Sequence, residues 1–298
     1  MSTPLSNHVG VIGLGLMGNA LVKRLDSAGV QLLGYDVDLN RCKEFGADRI
    51  RTIPGLGTAC RVIFLAVFNT AQVEATLLGA DGLLKDQPKE PITVICTSTC
   101  DPDEIKRIAK AFTDLGHHFL ELPISGTSLQ LARGDALGLM GGDETQFSQV
   151  SALLDIVTPK RQHIGEVGDA GKAKLAINLV LGLHRASMAE GLVFGQQLGL
   201  DPAKLLATLQ LSAAASSVMG VKGSLMVQRQ YQNPQSKVDQ SLKDFHLIWD
   251  LAQAKDQHLP LAQRYIELLE TELAQGNGHL DNAIIFEAIL KNSLVKPQ

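Results

Sequence analysis

Several patterns are absent from this sequence, and each absence excludes a class of protein. No cluster of lysine and arginine stands out, and the formal net charge is −4. Nucleic-acid binders usually carry a basic patch or stripe, so nucleic acid is not an expected partner. No apolar run approaches the roughly 18 residues that suggest a membrane span, and the N-terminal stretch lacks the basic start of a signal peptide. We therefore expect a cytoplasmic protein that binds no membrane.

Patterns typical of metal sites and disulfide frameworks are missing as well. Four cysteines are present without a CxxC pair, at Cys42, Cys60, Cys96 and Cys100. Isolated cysteines of this kind predict reduced thiols. The eight histidines show no HExxH or similar ligand spacing. We expect no metal site.

The sequence does contain a clear change of pattern at about Gly165. Before it, short apolar runs alternate with segments of helical spacing, which favours a doubly wound sheet. After it almost no strand pattern remains. The 298 residues suffice for two ordinary domains. We predict an α/β Rossmann domain with a mostly parallel sheet at residues 1–165, and an all-α domain at residues 166–298.

A long helix is predicted at the start of the second domain, from about Asp169 to Leu198. At 1.5 Å per residue it would be roughly 45 Å long, so we interpret it as the helix that joins the two domains. Lys174 and Asn178 are four residues apart and share one face of it. Apolar residues occur on several faces of its later turns, at Leu179, Leu183, Leu192 and Phe194. This predicts burial by a partner subunit in a homodimer or homotetramer.

The first predicted strand, residues 8–13, is followed by the glycine-rich sequence GLGLMG and then by a predicted helix. Gly13 permits a tight turn, Gly15 lets a pyrophosphate approach the backbone, and Gly18 lets helix and strand pack closely. The helix N-terminus supplies N–H groups and a positive dipole end. We predict that this loop binds a dinucleotide through Gly13, Leu14, Gly15, Leu16, Met17 and Gly18.

Asp36 ends the second predicted strand, about 20 residues beyond the glycine motif, where a carboxylate can bind the ribose hydroxyls. The same carboxylate would repel a 2′-phosphate. Asp38 adds a second negative charge, while Arg41 is a counterweight to both. The cofactor is therefore predicted to be NAD in preference to NADP.

Two further loops carry polar groups beyond the carboxyl ends of predicted strands, where open α/β sheets bind ligands. Ser98 and Thr99 follow the strand Ile92–Cys96. They either cap the next helix or contact a ligand, and both roles can hold at once. The strand from His118 ends in PISGTS, whose glycine lets an anion approach backbone N–H groups.

Five motifs, in this order, resemble those of the β-hydroxyacid dehydrogenase family over nearly the whole chain. They are GLGLMGNAL, STCDP at Ser98–Pro102, PISGTS at Pro123–Ser128, GDAGKAKLAIN at Gly168–Asn178, and LKD at Leu242–Asp244. The resemblance implies a nicotinamide cofactor, NAD or NADP. It implies that Lys174 and Asn178 are catalytic, that Ser125, Gly126 and Thr127 hold the substrate carboxylate, and that Val67, Thr99 and Lys243 contact the cofactor.

The sequence departs from the family pattern at four positions. Thr127 stands where a second glycine is usual, Ala170 replaces a glycine, Ile177 replaces an asparagine, and Cys96 stands where an aspartate is common. Thr127 and Ile177 are expected near the substrate. These differences bear on the identity of the substrate more than on the type of reaction.

Lys174 is the predicted general acid and base. Oxidation of a hydroxy acid requires a base that takes the hydroxyl proton, and reduction requires an acid that returns it. A lysine at the positive end of a helix is poorly placed as a purely structural cation. We predict an NAD(P)-dependent oxidoreductase that transfers a hydride between the nicotinamide and a small β-hydroxy acid or its semialdehyde. An imine-reductase-like enzyme and a non-catalytic nucleotide-binding protein are the alternatives.

Overall fold

The computed structural model describes residues 8–294 of the chain, which form two compact units. The first unit ends at Lys174 and the second begins at Leu175. This division falls within a helix of 29 residues, Asp169–Gln197, which matches the predicted long helix. The predicted domain boundary, 165/166, lies just before that helix.

The described part of the first unit contains one eight-stranded sheet, with strand order β2-β1-β3-β4-β5-β7-β6 and with β8 paired to β7. The strands are β1 (Val9–Ile12), β2 (Leu32–Tyr35), β3 (Val62–Leu65), β4 (Thr93–Cys96), β5 (His118–Glu121), β6 (Ile124–Ser125), β7 (Leu137–Gly141) and β8 (Lys160–Gly165). Strands β1 to β5 pair in parallel, and only the pairings of β7 with β5 and β6 are antiparallel. The predicted doubly wound, mostly parallel sheet is confirmed.

Helices cover both faces of this sheet, which explains why its central strands β1 and β3 are apolar. They are α1 (Leu16–Ser27), α2 (Leu39–Phe45), α3 (Ile53–Ala59), α4 (Thr70–Leu78), α5 (Pro102–Asp114), α6 (Ser128–Arg133), α7 (Glu144–Gln149) and α8 (Ser151–Val157). The helical spacing of the sequence from Phe147 to Ile156 favours one continuous helix. The structure instead breaks the chain at Val150 into two helices.

Four central strands end in register, and this places their following loops along one edge of the sheet. Ile12 of β1 lies opposite Leu65 of β3, Leu65 lies opposite Cys96 of β4, and Cys96 lies opposite Glu121 of β5. The strand order reverses between β1 and β3, with β2 on the far side of β1. In open α/β sheets, ligands bind beyond the carboxyl ends of the strands at such a switch point.

The second unit is helical apart from an isolated bridge between Lys237 and Asp281, as far as its described residues extend. Its helices are the long α9 (Asp169–Gln197), which begins in the first unit, α10 (Pro202–Leu211), α11 (Ser217–Gln228), α12 (Val238–Gln253), α13 (Pro260–Ala274) and α14 (Ile285–Leu294). Its core includes Phe245 and Tyr265, whose ring centroids are 4.5 Å apart. The predicted all-α fold is confirmed. None of the helices described between residues 8 and 294 is long and apolar enough to span a bilayer.

Candidate active site

The glycine loop after β1 has the close packing and the open space that a dinucleotide requires. Gly13 adopts φ +90°, and a Cβ on it would lie 2.4 Å from the carbonyl oxygen of Ala66. A Cβ on Gly18 would lie 1.7 Å from the carbonyl oxygen of Gly13, so α1 packs directly on the loop. Around Gly15, by contrast, the nearest atom to such a Cβ is Nη1 of Arg41 at 3.6 Å. The loop is therefore tight at its two ends and open in the middle.

The first turn of α1 offers backbone donors to an anion. Its N-cap residue is Gly15, no side chain caps it, and no acidic residue lies in its first turn. Hydrogen bonding within the helix begins with the N–H of Asn19, which donates to the carbonyl of Gly15 at 2.8 Å. The N–H groups of Leu16, Met17 and Gly18 therefore have no partner within the helix. This arrangement fits the pyrophosphate of a dinucleotide.

Asp36 connects the end of β2 to the glycine loop. The carboxylate is buried, and it accepts hydrogen bonds from the Leu14 N–H at 2.6 Å and the Asp38 N–H at 2.8 Å. Arg41 lies against both acids, 3.3 Å from Asp36 and 3.5 Å from Asp38. Oδ2 of Asp36 accepts both the Leu14 N–H and Nη1 of Arg41, whereas Oδ1, which accepts the Asp38 N–H, retains a lone pair for a ribose hydroxyl.

The loops after β3 and β4 lie beside the glycine loop. The N–H of Ala66 donates to the carbonyl of Ile12 at 2.8 Å, which places the following residue, Val67, at the switch point. Helix α5 is capped by Asp101, whose carboxylate accepts two backbone N–H groups. The hydroxyl of Ser98 is buried without a hydrogen-bond partner among the described residues, so it is suited to meet a polar group of a ligand. Thr99 next to it is half-buried.

The loop PISGTS is partly occupied by its own hydrogen bonds. The N–H of Thr127 donates to Oε1 of Gln130 at 2.8 Å, and the Thr127 hydroxyl accepts the Gln130 N–H at 3.3 Å. Together they form a capping box at the start of α6. Gly126 adopts φ +150°. The N–H of Thr127 is therefore already engaged, while its hydroxyl proton is left to donate.

Two lysines in the first turns of α9 have contrasting environments. Lys174 is 8% exposed. Lys172 is exposed and donates to Oδ1 of Asp169 at 2.9 Å, and this hydrogen bond raises the pKa of Lys172. The burial of Lys174, in contrast to the exposure of Lys172, is consistent with the prediction that Lys174 is the reactive group.

The second unit presents a linked set of polar side chains on α9 and α12. Nδ2 of Asn178 donates to Oδ2 of Asp244 at 2.8 Å. Nζ of Lys243 is 2.8 Å from Oδ1 of the same carboxylate, and both partners are largely buried. Asp244 thereby fixes the orientation of the side-chain amide of Asn178. The amide oxygen of Asn178 is left to accept a hydrogen bond.

Glu121 was not selected from the sequence, although it lies at the same edge of the sheet. It is 1% exposed, and its Oε2 accepts the N–H of Gly168 at 2.7 Å. Burial raises the pKa of this carboxyl to about 7, against the effect of hydrogen bonds from the Gly168 and Gly171 N–H groups. One feature could have revealed it, because an acid within the apolar run HFLEL is unusual unless it has partners.

All four cysteines are buried free thiols. Cys96 at the end of β4 is hydrogen-bonded with Cys100, and this contact together with burial raises the pKa of Cys96. Within residues 8–294, no group of three His, Cys, Asp or Glu side chains is arranged to hold a metal ion.

Models of known protein families match both halves of the chain. A family model described as the NAD binding domain of 6-phosphogluconate dehydrogenase matches residues 8–165. A second, described as NAD-binding of NADP-dependent 3-hydroxyisobutyrate dehydrogenase, matches residues 168–289. The chain is 31% identical to a 2-hydroxy-3-oxopropionate reductase of Escherichia coli K12, across 94% of this chain and 96% of that protein.

Solved structures share the fold. A crystal structure of a 3-hydroxyisobutyrate dehydrogenase from Salmonella typhimurium superimposes with a TM-score of 0.84 at 26% identity, covering 94% of this chain and 99% of that one. An imine reductase from Pseudomonas sp. gives a TM-score of 0.61 at 18% identity, covering 95% and 99% of the two chains. The likeness to the imine reductase is one of fold alone.

Proposed function

The chain belongs to the β-hydroxyacid dehydrogenase family of nicotinamide-dependent oxidoreductases, and from this premise we propose that it interconverts a small β-hydroxy acid and the corresponding semialdehyde. The observation that carries the proposal is the buried Lys174, one helical turn before Asn178 on α9. The two residues share one face of the helix.

Lys174 is the proposed general acid and base. In the oxidative direction its amine takes the proton of the substrate hydroxyl, and in the reductive direction its ammonium returns that proton to the carbonyl oxygen. The carbonyl oxygen of Asn178 orients the hydroxyl or the lysine. A nicotinamide cofactor, when bound, supplies the redox partner for the substrate carbon.

The remaining residues of the proposed site bind and orient. Ser125, Gly126 and the hydroxyl of Thr127 hold the substrate carboxylate. Lys243, already paired with Asp244, contacts the cofactor. The glycine loop with Val67 and Thr99 forms the rest of the cofactor site.

NAD is the proposed preferred cofactor. The support is Asp36, a buried carboxylate held by two backbone N–H groups at the end of β2, where a 2′-phosphate would meet a fixed negative charge. Arg41 moderates that charge but remains paired with both Asp36 and Asp38. NADP is the alternative.

A substrate panel followed by nicotinamide absorbance tests the proposal. Small β-hydroxy acids are offered with NAD and with NADP, and small semialdehydes and cyclic imines are offered with the two reduced cofactors. We expect turnover of at least one hydroxy acid and its semialdehyde. Turnover of imines alone would establish the imine-reductase alternative, and cofactor binding without any turnover would establish the non-catalytic one.

Two wider expectations belong to the same proposal. The exposed apolar side chains of α9 support a homodimer or homotetramer. The cytoplasmic location stays a prediction.

A further inference from the structure

A single buried carboxylate of β5 holds the first turn of α9. Oε2 of Glu121 accepts the Gly168 N–H at 2.7 Å, and the Gly171 N–H is also hydrogen-bonded to this carboxylate. The fit is close, because a Cβ on Gly171 would lie 2.7 Å from Oε1 of Glu121. The start of the helix is thus fixed to the end of the strand through two backbone donors.

The same carboxylate lies where several segments of the proposed site converge. Glu121 pairs in register with Cys96, the last residue of β4, and β4 leads into the loop of Thr99. Strand β5 itself leads through Pro123 into the loop of Ser125 to Thr127. Gly171 precedes Lys174 by about one helical turn. Movement of this carboxylate would therefore move the lysine relative to the substrate loop.

Stability alone does not account for an acid at this position. Removing a carboxylate from water costs several kcal/mol. The neighbours of Glu121 along β5, Phe119 and Leu120, are apolar and buried. The hydrogen bonds of the carboxylate go instead to the backbone of the lysine helix. The charged or titratable groups that face it are Asp169 and Lys172 on α9 and Cys96 on β4.

We propose that Glu121 is a positioning residue that sets the place of Lys174 relative to the substrate loop. This inference rests on the proposed function, since it assigns a role to Glu121 through Lys174. It predicts that changes to the carboxylate alter the rate of the chemical step more than the binding of the cofactor.

The first test is Glu121→Gln, which keeps the shape of the side chain and places an amide donor opposite a backbone N–H. We expect kcat to fall by about tenfold to a hundredfold, the cost of a small misplacement of a catalytic group. KM for the cofactor should stay within about twofold of the wild-type value. Glu166→Gln is the matched control, because that side chain is 83% exposed near the same helix start, and it should keep the wild-type kcat.

A second pair of variants keeps Glu121 itself, and one member of the pair pushes the carboxylate out of its position. In Gly171→Ala the new methyl would lie 2.7 Å from Oε1 of Glu121, whereas Gly191 on the same helix has no neighbouring atom within 4 Å of its Cβ position. We expect Gly171→Ala to lower kcat by about tenfold or more and Gly191→Ala to leave it unchanged. If Glu121→Gln does not fold, the comparison of Gly171→Ala with Gly191→Ala tests the positioning role of Glu121.

Three readouts separate the outcomes. A merely structural role would lower the thermal midpoint of Glu121→Gln while kcat per folded molecule stayed normal, and that result would overturn the inference. So would a kcat within about twofold of wild type in both Glu121→Gln and Gly171→Ala. Failure of the proposed function is distinct, because the wild type would then turn over no hydroxy acid, or Lys174→Ala would remain active.

Discussion

At the scale of single residues, the partners of each acid decide what it can do. Asp36 and Glu121 are both buried carboxylates that accept two backbone N–H groups. Asp36 holds the glycine loop and faces the expected ribose, while Glu121 holds the lysine helix. The role of Asp36 was predictable because its spacing from the glycine motif is characteristic. Glu121 has no such motif, and its partners lie 47 residues or more along the chain.

Asp36→Asn should shift the cofactor preference towards NADP. The amide keeps the size of the side chain and removes the charge that repels a 2′-phosphate. We expect the ratio of kcat/KM for NAD to that for NADP to fall by about tenfold, or about 1.4 kcal/mol. Asp38→Asn is the control, since its side chain is 41% exposed and its charge is better screened. An unchanged ratio in Asp36→Asn would remove Asp36 from cofactor selection.

Glu121 should also make stability depend on pH in a defined direction. Its folded-state pKa is raised from 4.5 to about 7, so the native state binds the proton more tightly than the unfolded state does. The contribution of Glu121 to the free energy of unfolding is fully present below pH 4.5 and is lost as pH rises through about 7. The loss amounts to about 3 kcal/mol in all. Urea unfolding of the wild type and of Glu121→Gln at several pH values measures it as a difference. Parallel curves for the two proteins would contradict the shift.

At the scale of elements, the longest helix was predicted from its pattern, and several short elements were not. The helix α9 was expected from Asp169 to Leu198 and runs to Gln197. Helices α2, α3 and α6 and strand β6 were not predicted. They contain seven residues or fewer, too few for a hydrophobic period to show, and their starts depend on local caps such as that of Thr127.

The break between α7 and α8 has a similar explanation. The run from Phe147 to Ile156 has helical spacing, but Val150 adopts φ −109° and ψ 11°, which ends one helix before the next begins. The substrate loop shows the same limit, because its sequence did not reveal that Gln130 occupies the N–H of Thr127. The break at Val150 and the engagement of the Thr127 N–H depend on contacts in the folded chain, which a local sequence pattern does not reveal.

Two glycines of α9 should respond oppositely to alanine. A Cβ on Gly182 would lie 2.3 Å from Cζ of Phe245 and 2.8 Å from Cε1 of Tyr265, whereas Gly191 has open space. We expect Gly182→Ala to lower the free energy of unfolding by about 1–3 kcal/mol through overpacking. Gly191→Ala should raise it by about 0.5–1 kcal/mol, because alanine is the better helix former. Denaturant unfolding measures both, and equal changes would argue against this packing of α9.

At the scale of the whole molecule, the apolar surface of α9 supports self-association. Val180 and Phe194 of α9 are 51% and 67% exposed, and Leu198 just beyond its end is 64% exposed. Leu192 of the same helix is fully buried in the core of the second unit. Phe194 and Leu198 are four residues apart, so exposed apolar side chains remain near the end of the helix beyond those that its own unit covers. Neighbouring exposed apolar side chains of this kind are found at protein interfaces.

Phe194→Glu should therefore dissociate the oligomer, because a charge on the shared face loses its hydration when a partner covers it. Light scattering after size exclusion measures the mass directly. Leu115→Glu is the control, since Leu115 is 60% exposed and lies in the first unit; its mass should equal that of the wild type. A wild type that is already monomeric at micromolar concentration would contradict the predicted oligomer.

Lys174 is the proposed donor and acceptor of the substrate proton, and the rate of its alanine variant is the direct test of that role. Lys174→Ala should lower kcat by about 10² to 10⁴-fold while NAD still binds, as measured by quenching of intrinsic fluorescence or by calorimetry. Lys172→Ala removes the exposed lysine two residues away and should retain near-normal kcat. A near-normal kcat in Lys174→Ala would contradict the account.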